Sequence, residues 1–175
     1  INLISSSTEK SINTRHIADS AQIIDFINKN EVKVCTDLGS GAGLPGIVLA
    51  ILMKPKKPQF KVIFYEKSYH KSNFLKEVSK KFDLNVEIFQ KNIFNEKNLV
   101  SDIIVTRAFK PLPVILELID TNFKNFKEII LFLGKNGKES LNETFTKWQF
   151  DHIEKKSLTS DESFILKIKN LKEKK

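Results

Sequence analysis

Val32-Lys-Val-Cys-Thr-Asp-Leu38 runs without a break into Gly39-Ser-Gly-Ala-Gly-Leu-Pro-Gly46, and this stretch decides the fold. The first seven residues are short, β-branched and mostly apolar, the pattern of a buried strand. Four of the six glycines of the chain follow at once, at 39, 41, 43 and 46. From Leu44 to Met53 the chain is apolar again, with Pro45 in the first turn, where a missing N–H leaves no helical bond unmade. Strand, glycine loop and helix therefore follow one another. Glycines let the backbone approach a ligand closely, and the helix N-terminus behind them offers free N–H groups.

Working downstream, the turn from Pro55 to Pro58 precedes a second strand, Phe60 to Tyr65, that ends at Glu66. Phe74, Leu75, Val78 and Phe82 recur at helical spacing, and strands are predicted at Asn85 to Phe89, Asp102 to Thr106 and Glu128 to Leu133. A helix from Pro113 to Phe123 separates the last two, and the apolar runs Trp148 to Ile153 and Ser163 to Ile168 are expected to pair antiparallel. Upstream, Ser11 to Asn13 reads as a cap, and Ile17, Ala21, Ile24 and Ile27 give an amphipathic helix from Thr14 to about Asn30. The expected fold class is α/β, an open, mostly parallel, doubly wound sheet with an antiparallel C-terminal edge. One domain spans residues 1–175: an N-terminal segment and helix over 1–30, a core over 31–170 and a frayed basic tail over 171–175.

A chain of 175 residues with 41% apolar content can build a real core. Its net charge of +8 favours polyanionic partners such as nucleic acid over acidic ones. The excess is almost wholly lysine, so part of it reflects composition rather than a site. Cys35 stands alone in an apolar run and cannot form an intramolecular disulfide, which fits a reducing, cytoplasmic setting. The sequence supports neither a membrane span nor an export signal. A monomer without metal is expected.

The loop admits two ligand readings. From Gly41 it matches G-x-G-x-x-G, the dinucleotide fingerprint, with Glu66 twenty residues beyond Gly46, and a nicotinamide-dependent oxidoreductase follows. From Asp37 it reads D-x-G-x-G-x-G, in which the strand-end carboxylate binds an ammonium group and Glu66 holds a ribose diol. S-adenosylmethionine carries both groups, and the acid placed before the first glycine favours it. A purely structural loop is the third reading.

Five segments, Asn2-Leu-Ile-Ser5, Arg15-His-Ile-Ala-Asp-Ser20, Asp37 to Ile47, Phe74-Leu-Lys-Glu-Val78 and Thr106-Arg-Ala-Phe109, occur in this order. In this the chain resembles the bacterial small-subunit ribosomal RNA guanine-N7 methyltransferases, once named glucose-inhibited division protein B. The resemblance covers nearly the whole chain. It implies a Rossmann-like methyltransferase fold, S-adenosylmethionine as donor, and a guanine in 16S ribosomal RNA, free or in the small-subunit particle, as acceptor. It further implies that Gly39, Leu44, Ile93, Phe94 and Arg107 contact the cofactor, beside Asp37, Gly41, Gly43 and Glu66 of the motif reading. Ile93 and Phe94 at a strand's C-terminal end would sandwich an adenine ring; ordinary core packing is the alternative. The family has a Lys-Gly pair at the end of the fifth strand, whereas Leu133-Gly134-Lys135 reverses that order, which leaves the role of Lys135 open. Members also carry more residues before the N-L-x-x segment.

Guanine N7 has an in-plane lone pair and needs no deprotonation, so no general base is required and positioning dominates. Arg15, His16, Asp19 and Lys135 are the substrate-positioning candidates, the first three with Ser20 on the polar face of the first helix. The alternative is a solvated helix face with an Arg15–Asp19 pair. Arg15 and Arg107 are the only arginines in a lysine-rich chain, and both fall in motifs that a planar fork would serve. Lys54, Lys56, Lys57, Lys71 and Lys110 would attract phosphates, and Phe109 would either stack on a base or pack beneath the fourth strand. The rival readings are another S-adenosylmethionine-dependent methyltransferase, the oxidoreductase and a non-catalytic RNA-binding module.

Overall fold

The computed structural model describes residues 16–27 and 31–175. The expected cap at Ser11 to Asn13, the helix start at Thr14, the Asn2 to Ser5 segment, Arg15 and the helix end at Asn30 lie outside the described residues.

Nine strands and five α-helices are described: β1 (Val34–Leu38), β2 (Lys61–Tyr65), β3 (Val86–Phe89), β4 (Leu99–Val100), β5 (Ile103–Arg107), β6 (Phe123–Asn125), β7 (Glu128–Leu133), β8 (Trp148–Lys156) and β9 (Phe164–Glu173), with α1 (Asp19–Ala21), α2 (Gly46–Met53), α3 (Tyr69–Lys81), α4 (Leu112–Asn122) and α5 (Gly137–Thr144). Seven strands form one sheet in the order β3-β2-β1-β5-β7-β9-β8. β3, β2, β1, β5 and β7 run parallel. β9 enters antiparallel between β7 and β8, so the expected antiparallel edge is present. The connections from β1 lead outward to β2 and β3, while β5 lies on its other flank. The strand order thus reverses between β1 and β5, where a crevice opens beyond their carboxyl ends.

Each face of the sheet carries its own core. One holds Leu38, Ile104, Leu116, Ile119, Leu131 and Trp148 under α4 and α5; the other holds Ile23, Cys35, Leu49, Met53, Phe64 and Leu75 under α2 and α3. Strands buried on both faces read as continuous apolar runs, which is why the parallel strands were legible. α3 starts at Ser68, whose hydroxyl accepts from the Lys71 N–H, and ends on Lys80 and Lys81, placed to favour the helix dipole.

Three expectations need correction. The first helical segment is not a regular amphipathic helix: α1 is a single turn followed by a 3₁₀ stretch over Gln22–Phe26. Its buried face carries Asp19, Ser20, Gln22, Ile23 and Ile27, while Ile17 is 45% exposed. A buried ion pair, described below, sets that orientation against the apolar stripe. The basic tail is not frayed from residue 171. β9 continues to Glu173, paired with Trp148, and the Lys174 N–H donates to the Lys147 carbonyl. The ladder persists because it anchors the buried Trp148. Lastly, α5 and the small parallel pair of β4 with β6 were not expected; both are short and carry weak periodicity.

Candidate functional site

The glycine loop leaves β1 at Gly39, whose φ of +64° suits glycine, and a Cβ there would sit 2.1 Å from the Phe109 ring. At its far end Gly46 lets α2 approach β2: a Cβ would meet the Phe64 ring at 2.4 Å and Asp37 Oδ2 at 2.6 Å. Asp37 Oδ2 instead accepts the Gly46 N–H at 2.8 Å and so fastens the start of α2 to the end of β1. The Ser40 hydroxyl donates to the Asp37 carbonyl, and the Ser40 N–H donates to the Tyr65 carbonyl, which ties the loop to β2.

Glu66, at the end of β2, is buried and spends one oxygen on each of two backbone donors. Oε2 accepts the Gly41 N–H and Oε1 the Ser68 N–H, both at 2.8 Å. Asp37 lies deeper, 1% exposed, with Oδ1 unpartnered among the described residues. Burial pushes its carboxyl up to about 7, against the opposing Gly46 hydrogen bond, with the nearby Glu66 charge adding to the rise.

A cavity of about 250 Å³ opens above the loop, lined by Gly39, Gly41, Leu44, Glu66, Arg107 and His16 together with Ser40, Ala42, Lys71 and Ala108. Five expected cofactor residues and one expected positioning residue therefore meet at one place, at the strand-order reversal. A Cβ on Gly41 would point into open space, with only the Gly39 carbonyl at 3.8 Å. The residues present fit a cofactor with a ribose and a charged amino-acid end. The loop leaves bare backbone for it, and a buried carboxylate held by two N–H groups keeps free lone pairs for hydroxyl donors.

Other expected contacts lie elsewhere. Asp37 is not among the residues lining the cavity, and its Oδ2 holds the Gly46 N–H. Gly43 faces away: a Cβ there would strike Ile47 at 2.4 Å and Leu75 at 2.7 Å, so it serves packing. Ile93 is 3% exposed and belongs to the core. Phe94 is exposed and lines a different cavity with Lys97 and Val114, its ring centroid 6.0 Å from that of Phe109. Lys135 stands 79% exposed at its side chain, 3.8 Å from Glu162 and away from the loop.

Arg107 ends β5 and spans the cavity wall. Its Nη2 lies 3.3 Å from Asp19 Oδ2, its Nη1 donates to the His16 carbonyl at 3.5 Å, and its guanidinium lies 5.7 Å over the Phe132 ring. Burial lowers the Arg107 pKa, and the Asp19 charge offsets only part of the fall. The Arg15 half of the alternative pair lies outside the described residues, and Asp19 is not on a solvated face. Its Oδ1 also accepts from Gln22 Nε2 at 2.5 Å, Ser157 Oγ at 2.9 Å and Thr159 Oγ1 at 3.0 Å. Ser157 and Thr159 had no signal in the sequence, lying 138 and 140 positions from Asp19. Ala108, the middle residue of the R-A-F motif, adopts φ +50°, a left-handed backbone uncommon without a special environment. Among the described residues no cluster of three or more His, Cys, Asp or Glu is placed to hold a metal ion, and no helix is long and apolar enough to cross a membrane.

With this geometry in place, comparison with known proteins is specific. A family model described as rRNA small subunit methyltransferase G matches residues 1–167. A "Ribosomal RNA small subunit methyltransferase G" of Pelagibacter ubique is 51% identical over 176 residues, 99% of this chain and 82% of the relative. One of Rickettsia felis is 34% identical, over 98% of this chain and 85% of the relative. Among solved structures, M. capricolum TrmK in complex with S-adenosyl-homocysteine aligns with a TM-score of 0.62 at 14% identity, over 95% of this chain and 69% of that one. The 16S rRNA methylase RmtB aligns at 0.61 and 13% identity, over 91% and 65%. At such identities the structural likeness speaks for the fold.

Proposed function

Since the chain belongs to the rRNA small subunit methyltransferase G family, and is thereby an S-adenosylmethionine-dependent methyltransferase of small-subunit ribosomal RNA, we propose that it methylates N7 of a guanine in 16S ribosomal RNA as a cytoplasmic monomer. The observation that carries the cofactor side is the cavity joining Gly39, Gly41, Glu66 and Arg107 at the strand-order reversal. When bound, the cofactor supplies an electrophilic methyl group on a sulfonium.

The chain's part is positioning. Glu66, held rigid by the Gly41 and Ser68 N–H groups, accepts hydroxyl donors of a ribose. Gly41 leaves bare backbone for the ligand, and Arg107 with the His16 backbone closes the wall opposite. Asp37 holds the loop to α2 from below. No residue is needed to take a proton, because N7 presents a lone pair; an approach within roughly 3 to 3.5 Å in a water-poor cleft supplies the rate. Recognition must leave N7 free, so it uses O6 and the Watson–Crick edge rather than a two-point arginine contact. The oxidoreductase reading loses ground on topology, since β9 enters antiparallel where the dinucleotide-binding fold continues in parallel.

The test is methyl transfer from labelled S-adenosylmethionine to under-methylated 16S ribosomal RNA and to small-subunit particles, followed by nucleoside mass spectrometry. Appearance of 7-methylguanosine is expected with at least one form. Transfer to neither, with cofactor binding confirmed, removes the proposed substrate.

A further inference from the structure

Resting on the reading of the chain as an RNA methyltransferase, we propose that a second, larger cavity, beyond the carboxyl ends of β5 and β7, is the acceptor site and takes a purine base turned out of its RNA strand. This cavity measures about 610 Å³, within the ~300 to 1,000 Å³ of ligand sites. Ala108 lines both it and the cofactor cavity, so the two meet at the left-handed residue of the R-A-F turn. Its floor is apolar, from Leu112, Ile115 and Leu131. One wall is Phe109, whose ring is fixed from behind by Gly39 and from the side by Phe94. A rigid aromatic wall over an apolar floor offers a π-face to any base.

The glycines supply the independent argument. At Gly39, Gly43, Gly46 and Gly137 an added Cβ would come within 2.6 Å or less of a protein side chain, so packing explains each. Gly41 and Gly134 are different: their Cβ positions face space. Gly41 fronts the cofactor cavity, and Gly134, with nothing within 4 Å, fronts the second one. Gly134 carries no left-handed φ, so neither backbone nor packing requires glycine there. A side chain there would instead enter the space the proposed base takes.

The rim fits the same occupant. Lys110 and Lys135 both line the cavity and offer charge for the phosphates beside an extruded nucleotide. Asn136, at the N-cap of α5, makes no capping bond with its side chain, and its amide offers both a donor and an acceptor to a Watson–Crick edge. A base seated against Phe109 would turn its remaining edge toward Ala108 and the cofactor cavity, as methylation of N7 requires.

The decisive variant is Gly134→Leu, which fills the second cavity and leaves the first untouched. Its melting temperature and its affinity for S-adenosylhomocysteine are expected to match the unsubstituted protein, while kcat/KM on under-methylated small-subunit particles falls on the order of a hundredfold. Should that variant fail to fold, Lys135→Ala decides alone: its exposed side chain carries no fold, and it is expected to raise KM for RNA and reduce the salt dependence of RNA binding by about one counterion. A folded Gly134→Leu protein with unsubstituted kcat/KM overturns the assignment, as does a Lys135→Ala protein with unchanged KM and salt slope where the leucine variant is lost. An unsubstituted protein that methylates no RNA overturns the parent reading instead, and this one with it.

Discussion

Removing the carboxylate of Asp19 is expected to damage both the fold and the cofactor cavity, although Asp19 does not line that cavity. The side chain is 9% exposed and lies 3.3 Å from Arg107, itself 21% exposed. Breaking a buried pair by deleting one partner costs about 3 to 5 kcal/mol, and the partial exposure of Arg107 puts this one near the lower end, at ~3 kcal/mol. Asp19→Ala also strands the donors on Oδ1. Gln22 loses its acceptor, whereas Ser157 and Thr159 can bond to each other across 3.2 Å, so about 1 kcal/mol more is lost. The sum, ~4 kcal/mol, corresponds to a fall in melting temperature of about 8 to 16 °C for a chain of this size. Asp19→Asn keeps Oδ1 for its three donors and loses the charge and acceptor facing Arg107, so it should lie about midway. Both variants free the Arg107 fork that holds the His16 carbonyl, and calorimetric titration should show S-adenosylhomocysteine binding weaker on the order of tenfold, or ~1.4 kcal/mol. Combining Asp19→Asn with Arg107→Met should add little to either single change, because the two act through one contact. An Asp19→Ala protein that melts within about 2 °C of the unsubstituted one would refute this reasoning, since the Asp19–Arg107 contact would then contribute little.

Two further outcomes follow from the loop. Asp37, pushed up to about 7, holds its proton more tightly folded than unfolded; its contribution to stability is therefore full below the ordinary carboxylate range and lost as pH rises through about 7. Up to about 4 kcal/mol is at stake, and thermal melts across pH should show a decline between about pH 4 and 7 that Asp37→Asn flattens; parallel profiles would refute the assignment. Glu66→Gln places an amide where two backbone N–H groups require acceptors, which should destabilise by about 1 to 3 kcal/mol and weaken S-adenosylhomocysteine binding, read by melting with and without the ligand.

How far the sequence could be read depended on whether a feature was local. β1, the glycine loop and α2 are contiguous, and their buried apolar runs and turn glycines announced the strand, the crevice and its place in the sheet. The strands on either side were legible for the same reason. What failed was everything fixed by a distant partner. The polar residues of the first helical segment read as a solvent face, because helical periodicity assumes that carboxylates point outward; Asp19 points inward, since Arg107 and two hydroxyls from the β8–β9 turn meet it there. Ile17 is displaced to solvent by the same pairing. Ile93 was placed in the site by resemblance, whereas the Asn122 amide that ties down its carbonyl seats it in the core.

The glycines show the limit most clearly. In the sequence they are one symbol repeated, and the fingerprint treats 39, 41, 43 and 46 as a unit. In space they separate by cause: Gly39 makes room for a phenylalanine ring, Gly43 and Gly46 for helix packing and Asp37, while a Cβ on Gly41 would meet no side chain and its φ of +55° favours glycine. Gly134, outside any fingerprint, falls with Gly41 by that criterion. A substitution series across these positions therefore separates stability from binding: Gly43→Ala and Gly46→Ala should lower the melting temperature first, whereas Gly134→Ala should leave it unchanged, because a Cβ meets protein in the former and open space in the latter.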